Sequence, residues 1–329
     1  MKVLAKVCND SLATVYVAEF EPGQRVEFVE SVQPPIPREK KWVFIISTLF
    51  GCPVRCAMCD AGGNYTGKCT AEQMLAQCDY LARSRYRDGH VKTARLKVQF
   101  ARMGEPALND GVLEALTALP GRYGADEVIP SVSTTAPAGR DSFFENLVAI
   151  KRDLFGRGRF QMQFSIHSTD ESMRDRLMPV RKWDLGQIAE FGDMFYEPGD
   201  RKVALNFSVM EGVPIEVDVL RRYFHPGKFA VKMTPMNPTY MAKDNSLHPH
   251  VEPGSFDSRW NNLALSLRQS GFDVIESIGE MEENKIGSNC GQYVTRFLQR
   301  KSNLTQGYSY AVQEVAEYYP MPCGANAVD

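Results

Sequence analysis

The sequence has little that would place it in a membrane or among strongly basic nucleic-acid-binding proteins. No stretch approaches the roughly 18 consecutive apolar residues of a membrane-spanning helix. Lys2 and Lys6 interrupt the region where the apolar core of a signal peptide would lie. The formal net charge is −2, so bulk charge does not indicate nucleic-acid binding, although a local basic patch would suffice for it. Short-period repeats and low-complexity tracts are also absent.

The composition is that of a globular protein, with 43% hydrophobic and 24% charged residues among 329. This length accommodates one large domain or two ordinary ones. The chain has eight cysteines, an even number. It is too long for a small disulfide-stapled secreted protein, and no signal peptide is recognisable. We therefore expect a reducing, cytoplasmic location.

Three of the cysteines are concentrated in one short segment. Cys52, Cys56 and Cys59 are spaced C-x3-C-x2-C, directly after the apolar run 42–46. Thiolates are the ligands of iron–sulfur clusters, and three of them can hold three irons of a [4Fe–4S] cube, leaving the fourth iron open. A tetrahedral zinc site would need another ligand nearby, and neither a second C-x2-C nor an H-x3-H follows. The triplet predicts an iron–sulfur cluster; the alternative is three unrelated core cysteines.

From residue 42 onward, segments of strand and helix character alternate. Strands are predicted over the segments 43–47, 96–101, 128–134, 160–166, 203–209 and 229–235. The first helix begins at a capping box, Thr70 to Gln73. Repeated βα units imply an α/β fold with a parallel sheet and helices outside it. Three short alternating segments in residues 1–40 predict a small N-terminal β appendage and a linker.

Polar and chemically unusual residues follow these strands, where the active sites of parallel barrels lie. They are Met103-Gly104-Glu105-Pro106 after the second strand, Ser131-Val132-Ser133-Thr134-Thr135 after the third, Ser165-Ile166-His167-Ser168 after the fourth, Thr234-Pro235-Met236-Asn237-Pro238 after the sixth, and Ser288-Asn289-Cys290-Gly291-Gln292 near the C-terminus. Their placement predicts a single site at the carboxyl ends of the strands.

The cysteine spacing after a strand resembles the signature of the radical S-adenosylmethionine (SAM) enzymes. The ordered motifs resemble, more specifically, the RlmN/Cfr family, which methylates adenine in RNA. Gly-Glu-Pro, Ser-x-His, Asn-Pro and Cys-Gly-Gln carry this resemblance over roughly residues 42–300. It implies a partial (βα)6 TIM barrel of the radical SAM type over residues 41–280. Residues 281–329 would form a C-terminal segment with the Cys290 loop and a tail.

The resemblance implies two cofactors, a [4Fe–4S] cluster on the three cysteines and SAM bound to its open iron. Reductive cleavage, with an electron from a flavodoxin- or ferredoxin-type donor, would give a 5′-deoxyadenosyl radical. Glu105 would hold the SAM amino group through a charge-assisted hydrogen bond; the alternative is a solvated loop carboxylate. Gly104, which has no side chain, would allow SAM to lie close to the backbone. Ser133, Ser165 and Asn237 would bind ribose and adenine edges, although strand-end serines often cap neighbouring backbone.

Cys290 is the candidate catalytic residue outside the cluster. In the family, this cysteine receives a methyl group from one SAM, and the radical from a second SAM removes a hydrogen from that methyl. The resulting thiomethylene radical adds to an aromatic carbon of the substrate. The alternative for Cys290 is an inert buried thiol.

Two features depart from the family pattern. The family's second catalytic cysteine, which helps to resolve the covalent adduct, corresponds to Ile45 here. Cys8, Cys69 and Cys323 are the candidate substitutes, whereas Cys78 lies on the apolar face of a predicted helix. The family also carries a larger N-terminal RNA-binding domain than the 40 residues that precede the predicted barrel.

Three hypotheses about function remain at this stage. The first is a methyl synthase that acts on a nucleic-acid base. The second is a radical SAM enzyme that acts on a small molecule or peptide, with Cys290 as methyl carrier or hydrogen-atom donor. The third is a non-catalytic iron–sulfur protein, which the open iron disfavours because electron carriers usually ligate every iron with protein thiolates. A basic, aromatic groove would favour RNA, and a closed polar pocket a metabolite.

Overall fold

The computed structural model describes residues 1–249, 258–279, 281–288, 292–295 and 307–315. The strands are β1 (Lys2–Asn9), β2 (Ala13–Glu19), β3 (Arg25–Ser31), β4 (Trp42–Ile46), β5 (Leu49–Cys52), β6 (Gly63–Lys68), β7 (Arg95–Phe100), β8 (Glu127–Thr134), β9 (Gln161–Ser165), β10 (Val203–Val209), β11 (Phe229–Pro235), β12 (Asp273–Glu276) and β13 (Gln313–Glu314). The helices are α1 (Ala71–Arg85), α2 (Gly111–Thr117), α3 (Asp141–Leu154), α4 (Glu171–Leu177), α5 (Leu185–Phe195), α6 (Val217–Tyr223), α7 (Tyr240–Asp244), α8 (Ser258–Gln269) and α9 (Met281–Ile286).

A parallel sheet with helical connections forms the larger part of the fold. The strands β4, β7, β8, β9, β10, β11 and β12 are neighbours in this order and all run parallel. At least one helix connects each pair, as expected because parallel neighbours need a crossover. All six predicted barrel strands are present, and β10 and β11 have the predicted bounds. The repeated βα units are therefore confirmed.

The three N-terminal strands extend this same sheet. β3 pairs antiparallel with β4, with Val29 opposite Ile45, and β2, β1 and β13 follow in order. The short alternating segments predicted in residues 1–40 are thus strands. They cover the edge of β4, whose N–H and C=O groups would otherwise be unpaired.

The two faces of the parallel strands differ in polarity. The side chains that face the helices are apolar and buried, and they pack with the apolar residues of α1, α2, α3 and α5. The other face, called the inner face below, carries polar side chains that solvent partly reaches, for example Gln99, Ser133, Gln163 and Asn206. Parallel strands buried on both faces read as continuous apolar runs. The alternation in β7 and β9 therefore reflects an inner face that is open to water.

Local sequence signals fix several helix starts. Thr70 and Gln73 form the predicted capping box at α1, and Asp184 with Gln187 forms another at α5. The β5–β6 hairpin and the short helices α4, α7 and α9 were not predicted. Within the described ranges, no helix has both the length and the apolar character needed to cross a membrane.

Helix α5 lies so close to β11 that only glycine fits at position 192. A Cβ on Gly192 would overlap the ring of Phe229. We expect Gly192→Ala to lower the free energy of unfolding by about 1–2 kcal/mol, because overpacking outweighs the better helix propensity of alanine. Gly156→Ala is the control, since a Cβ there would lie an ordinary 3.7 Å from the Arg152 carbonyl oxygen. Urea unfolding measures both; equal stabilities would contradict this packing.

Candidate active site

The three clustered cysteines lie in a loop carried by the β5–β6 hairpin, just after the carboxyl end of β4. Cys52 is the last residue of β5 and pairs with Gly63. Within the loop, the Cys59 N–H donates to the Cys56 carbonyl at 3.0 Å. Gly51 has φ +77°, and a Cβ there would overlap the backbone of β6. The tight turn into the loop therefore requires glycine at this position.

The thiols of this loop lie near one another and near Glu105. Burial raises the pKa of Cys56 well above its usual value, and the neighbouring Cys59, Cys52 and Glu105 raise it further. Burial likewise raises the pKa of Cys52 to about 11, although backbone N–H groups oppose this. None of the three cysteines forms a disulfide. Binding of iron to these thiols therefore has to release protons, as metal binding to cysteine generally does.

This donor set fits a [4Fe–4S] cluster. Each thiolate of a cubane binds a different iron, so the three sulfurs need not converge on one point. Across residues 1–249 and the shorter described ranges, no group of three or more His, Cys, Asp or Glu side chains is placed to hold a single ion. Three neighbouring thiols that form no disulfide are the kind of ligand that such a cluster needs.

Hydrogen bonds from two helices hold the cysteine loop against the sheet. The Thr239 hydroxyl donates to the Met58 carbonyl at 2.8 Å, and the Asn245 amide donates to the Ala57 carbonyl at 2.9 Å. The Ala57 N–H donates to the Leu177 carbonyl at the end of α4, also at 2.8 Å. The segment that follows β11 therefore reaches the cysteine loop, as the sequence motif after the sixth strand predicts.

Asp60, directly after the third cysteine, is a buried residue that the sequence analysis missed. Its carboxylate accepts hydrogen bonds from the backbone N–H groups of Tyr240 at 3.1 Å and Met241 at 2.8 Å. It also accepts one from the Tyr308 hydroxyl at 2.6 Å. The carboxylate thus joins the cysteine loop to α7 and to the C-terminal part of the chain. Its position next to Cys59 is the one sequence signal that could have singled it out.

Glu105 is buried beside the cysteine loop and fully engaged in hydrogen bonds. Its carboxylate accepts from the Thr134 hydroxyl, the Ala107 N–H at 3.0 Å, and both the N–H and the hydroxyl of Thr135 at 2.8 and 2.9 Å. Burial raises its pKa, and these hydrogen bonds oppose the rise. The alternative of a solvated loop carboxylate is wrong, because the residue is only 4% exposed. The four donors fix the carboxylate at the carboxyl end of β8.

Only glycine fits at position 104, because β5 lies too close for a side chain there. Its φ is +99°, and a Cβ would lie 2.5 Å from the Leu49 side chain and 2.8 Å from the Leu49 nitrogen. The close backbone approach is therefore to β5, which leads into the cysteine loop. This contact brings Glu105 next to that loop. The role of Gly104 toward SAM remains a prediction.

The other predicted SAM contacts are located at the same edge of the sheet. Ser133 and Ser165 lie on the inner face, and both are partly exposed. The Ser133 hydroxyl accepts from Gln163 at 3.2 Å, whereas Ser165 lies beside Asn206 in the sheet. Asn237 is partly exposed and its side chain makes no hydrogen bond to another described residue. All three are placed where a ligand above the sheet could reach them; their roles remain predictions.

Left-handed backbone conformations occur at residues other than glycine near this edge. Among them are Arg55 in the cysteine loop, Ala136 after β8 and His167 after β9, with φ of 56–62°. Such strain is concentrated at functional sites.

The His167 Nδ1 accepts a hydrogen bond from the Ser208 N–H at 3.1 Å. Burial, followed by the charge of Arg174, lowers the pKa of His167 to about 4. His167 is therefore neutral near pH 7 and holds β9 to β10.

A buried ion pair anchors both ends of the segment that contains Cys290. Arg102, between β7 and Glu105, pairs with Glu27 of β3 at 2.8 Å, with both side chains at most 1% exposed. The guanidinium also donates to the carbonyls of Gly287 at 2.8 Å and Ser288 at 2.9 Å. The Gln292 amide donates to the Arg102 carbonyl at 3.3 Å. Cys290 itself lies outside the described residues.

Comparison with known proteins identifies the family. No family model matches the chain. A probable RNA methyltransferase of Ectopseudomonas mendocina is 30% identical over 280 residues, which covers 82% of this chain and 70% of that protein. A probable dual-specificity RNA methyltransferase RlmN of a Synechococcus species is 25% identical over 268 residues, 77% of this chain and 72% of that protein.

The chain belongs to the RlmN/Cfr-like family of radical SAM enzymes. It is therefore an enzyme of the methyltransferase kind, and the hypothesis of a non-catalytic iron–sulfur protein is wrong. The crystal structure of a radical SAM methyltransferase from Sphaerobacter thermophilus has a TM-score of 0.70 at 21% identity. The match covers 89% of this chain and 81% of that one. It confirms the predicted α/β fold of the radical SAM type.

Ile45 stands at the position of the RlmN/Cfr family's second cysteine and lies beside the cysteine loop. Ile45 packs in the apolar cluster that also contains the three cysteines of the loop. Cys69 is buried on the opposite, helix-facing side of the sheet, and burial raises its pKa. Cys8 is disulfide-bonded, and alternation along β1 places it on the other face from Val7, which packs with Ile45. Cys323 lies outside the described residues.

The Glu27–Arg102 pair should contribute far more to stability than an exposed ion pair. Arg102→Met leaves the Glu27 carboxylate buried without its cation, so we expect the free energy of unfolding to fall by about 3–5 kcal/mol. Arg95→Met is the matched control, because its 2.8 Å pair with Glu127 is exposed and should contribute at most about 1 kcal/mol. Denaturant unfolding gives both values, and hydrogen exchange at Gly287 and Ser288 reports the anchoring. Equal losses would contradict the assignment.

Proposed function

We propose that this RlmN/Cfr-like enzyme holds a [4Fe–4S] cluster on Cys52, Cys56 and Cys59 and uses Cys290 as a methyl carrier. Its substrate would be a base in RNA, which the chain methylates on an aromatic carbon. The names of its relatives, which are probable RNA methyltransferases, support this substrate class. The proximity of the three thiols supports the cluster.

Different residues at the carboxyl edge of the sheet would bind different parts of SAM. When bound, the cluster and SAM supply a 5′-deoxyadenosyl radical, with the electron provided by a flavodoxin- or ferredoxin-type donor. Glu105 would exchange one of its four hydrogen bonds for a charge-assisted hydrogen bond from the SAM amino group. Its four donors already orient the carboxylate, so little ordering is required on binding. Gly104, Ser133, Ser165 and Asn237 would line the remainder of the SAM site.

One observation supports the proposed role of Cys290 as methyl carrier. Ser288 and Gln292, on either side of it, both contact Arg102. Arg102 lies three residues before Glu105, and Glu105 is close enough to Cys52 and Cys56 to raise the pKa of both thiols. The segment with Cys290 is therefore tied to the loop that borders the cysteine triplet. This supports a thiol that works beside the cluster rather than an inert core cysteine.

A second candidate function is radical SAM chemistry on a small molecule or peptide without a methyl-carrying cysteine. The observation in its favour is Ile45, which has no thiol to resolve a covalent adduct. The two functions differ in whether Cys290 becomes methylated.

Mass spectrometry of the Cys290 peptide distinguishes the two functions. After anaerobic reconstitution of the cluster and incubation with SAM and a reductant, we expect one added methyl group on Cys290 that derives from the SAM methyl. Cys290→Ala should abolish product methylation, whereas Cys78→Ala, at a buried helix position, should retain it. Release of 5′-deoxyadenosine with an unmodified Cys290 would overturn the methyl-carrier role and favour the second function.

Introducing the missing thiol should speed resolution of the adduct. In Ile45→Cys we expect the covalent complex between Cys290 and RNA to be depleted about tenfold or more on denaturing gels, because a thiol then faces the cysteine loop. Val43→Cys is the control, since it places a thiol on the same face of β4, two residues away. If both variants and the wild type accumulate equal adduct, position 45 has no part in its resolution.

A further inference from the structure

Tyr65 is an exposed aromatic residue beside the cysteine loop. It lies in β6, the strand that leads back from that loop, and is 43% exposed. Gly63, two residues earlier, pairs with Cys52 across the hairpin. With about 3.3 Å per residue along a strand and about 4.8 Å between strands, the Cα of Tyr65 lies about 8 Å from that of Cys52. The tyrosine ring can therefore reach a substrate that is held over the cysteine loop.

The fold does not use the Tyr65 ring as a structural contact. Tyr65 forms no ring contact, hydrogen bond or cation–π contact with another described residue. Tyr223, which is 40% exposed, contacts both Phe224 and Arg222. Single exposed aromatic residues are ordinary in globular proteins. An aromatic ring without such contacts next to a candidate active site is instead available to bind a substrate.

Glycines surround Tyr65 on its own hairpin. Gly63 and Gly67 flank it in β6, and Gly51 of β5 lies across from residues 64–66. Beyond its immediate neighbours, a Cβ on Gly63 would have no described atom within 4 Å. A Cβ on Gly67 would make one ordinary contact, at 3.9 Å. The space beside the tyrosine ring is therefore open, and a flat group could lie against the ring.

The exposed charges of the hairpin and its loop are positive. In residues 49–69 the charged residues are Arg55, Asp60 and Lys68. Asp60 is buried and accepts the hydrogen bonds described above. Arg55 and Lys68 are exposed and form no ion pair with another described residue. The next acid along the chain, Glu72, lies in the first turn of α1, where it complements the helix dipole.

The two cations lie toward opposite ends of β6. A Cβ on Gly62 would lie 2.9 Å from the Arg55 Cα, so the backbone of Arg55 packs against the start of this strand. Lys68 is the last residue of β6. Tyr65 therefore has a positive charge on either side of it along the strand. Unpaired RNA bases stack on aromatic rings, and lysine or arginine binds the phosphates that flank them.

We propose that Tyr65 is a stacking platform for an unpaired base of the RNA substrate, and that Arg55 and Lys68 bind the phosphates beside that base. This inference rests on the proposed function, because that function supplies the RNA substrate. The methylated base has to lie over the cysteine loop, next to SAM. The base stacked on Tyr65 would therefore be its neighbour in the RNA chain.

Fluorescence anisotropy with a labelled single-stranded oligoribonucleotide tests the platform in the cluster-reconstituted full chain. We expect Tyr65→Ala to weaken binding at least about fivefold, the lower end for one base–aromatic stack. Tyr65→Phe should stay within twofold, because the ring remains. Tyr223→Ala is the matched control, since Tyr223 is similarly exposed but lies on α6, and it should also stay within twofold.

Three outcomes of this titration would overturn the proposal. The first is equal binding by the wild type and Tyr65→Ala. The second is a wild-type protein that binds no RNA. The third is an equal loss in Tyr65→Ala and Tyr65→Phe, which would assign the effect to the hydroxyl rather than to stacking.

Tyr65→Trp gives a readout that a merely structural tyrosine would not affect. The three native tryptophans are at most 7% exposed, so the new indole would dominate the long-wavelength emission. RNA should quench this emission, because a stacked base contacts the indole directly. Tyr223→Trp is the control and should not be quenched. An oligomer of abasic ribose phosphates carries the same charges without bases, and equal quenching by it in Tyr65→Trp would contradict stacking.

The salt dependence of binding tests the phosphate contacts. For single strands, each phosphate contact contributes about 0.7 to the slope of log affinity against log salt concentration. Lys68→Met should therefore make the slope shallower by about 0.7. Lys40→Met is the control, since Lys40 is exposed just before the opposite end of β4, and its slope should equal that of the wild type. Equal slopes in Lys68→Met and the wild type would contradict the contact.

Failure of the platform is distinguishable from failure of the proposed function. Methylation of Cys290 by SAM in the wild-type protein needs no RNA, so it tests the methyl-carrier role alone. Methylated Cys290 together with equal RNA binding by the wild type and Tyr65→Ala would overturn the platform only. Unmodified Cys290 together with weaker RNA binding by Tyr65→Ala would overturn the methyl-carrier role and support the platform.

Discussion

The Glu27–Arg102 ion pair is the interaction on which the arrangement of the site depends. It joins a strand from the N-terminal part of the sheet, the loop that carries Glu105, and the C-terminal residues on both sides of Cys290. The Val294 N–H donates to the same Glu27 carboxylate. Removing two charges from water is costly, and a buried pair is tolerated only when further hydrogen bonds satisfy its atoms. Here those hydrogen bonds come from the segments that have to be held together.

A second carboxylate, Asp60, acts in the same way on the other side of the cysteine loop. It fixes the start of α7 through Tyr240 and Met241 and the C-terminal part of the chain through Tyr308. The two carboxylates thus fasten the C-terminal segment at two separate points. Because hydrogen bonds occupy both carboxylates, neither would be available as a ligand of the proposed cluster.

Much of the fold follows from short-range patterns in the sequence. The barrel strands have alternating or apolar runs, and the capping boxes at Thr70 and Asp184 mark helix starts. The β5–β6 hairpin was missed because Gly63–Lys68 is polar and largely exposed, so that no apolar alternation marks it. The cysteine triplet and Glu105 were found through motifs. Glu27, Asp60 and Arg102 were not, because their partners are distant in sequence, up to 267 residues for Glu27 and Val294. For Glu27, the available sequence signal was a charged residue between two apolar ones, Val26 and Phe28.

The pairing of β3 with β4 limits how parts could be exchanged between relatives. The N-terminal strands supply Glu27, the carboxylate that neutralises Arg102. They are therefore part of the structure that supports the candidate active site. A chimera that replaced residues 1–31 with an unrelated targeting module would expose the edge of β4 and leave a guanidinium buried without its anion. In this chain, diversification toward new substrates is thus constrained at its N-terminus as well as at the carboxyl edge.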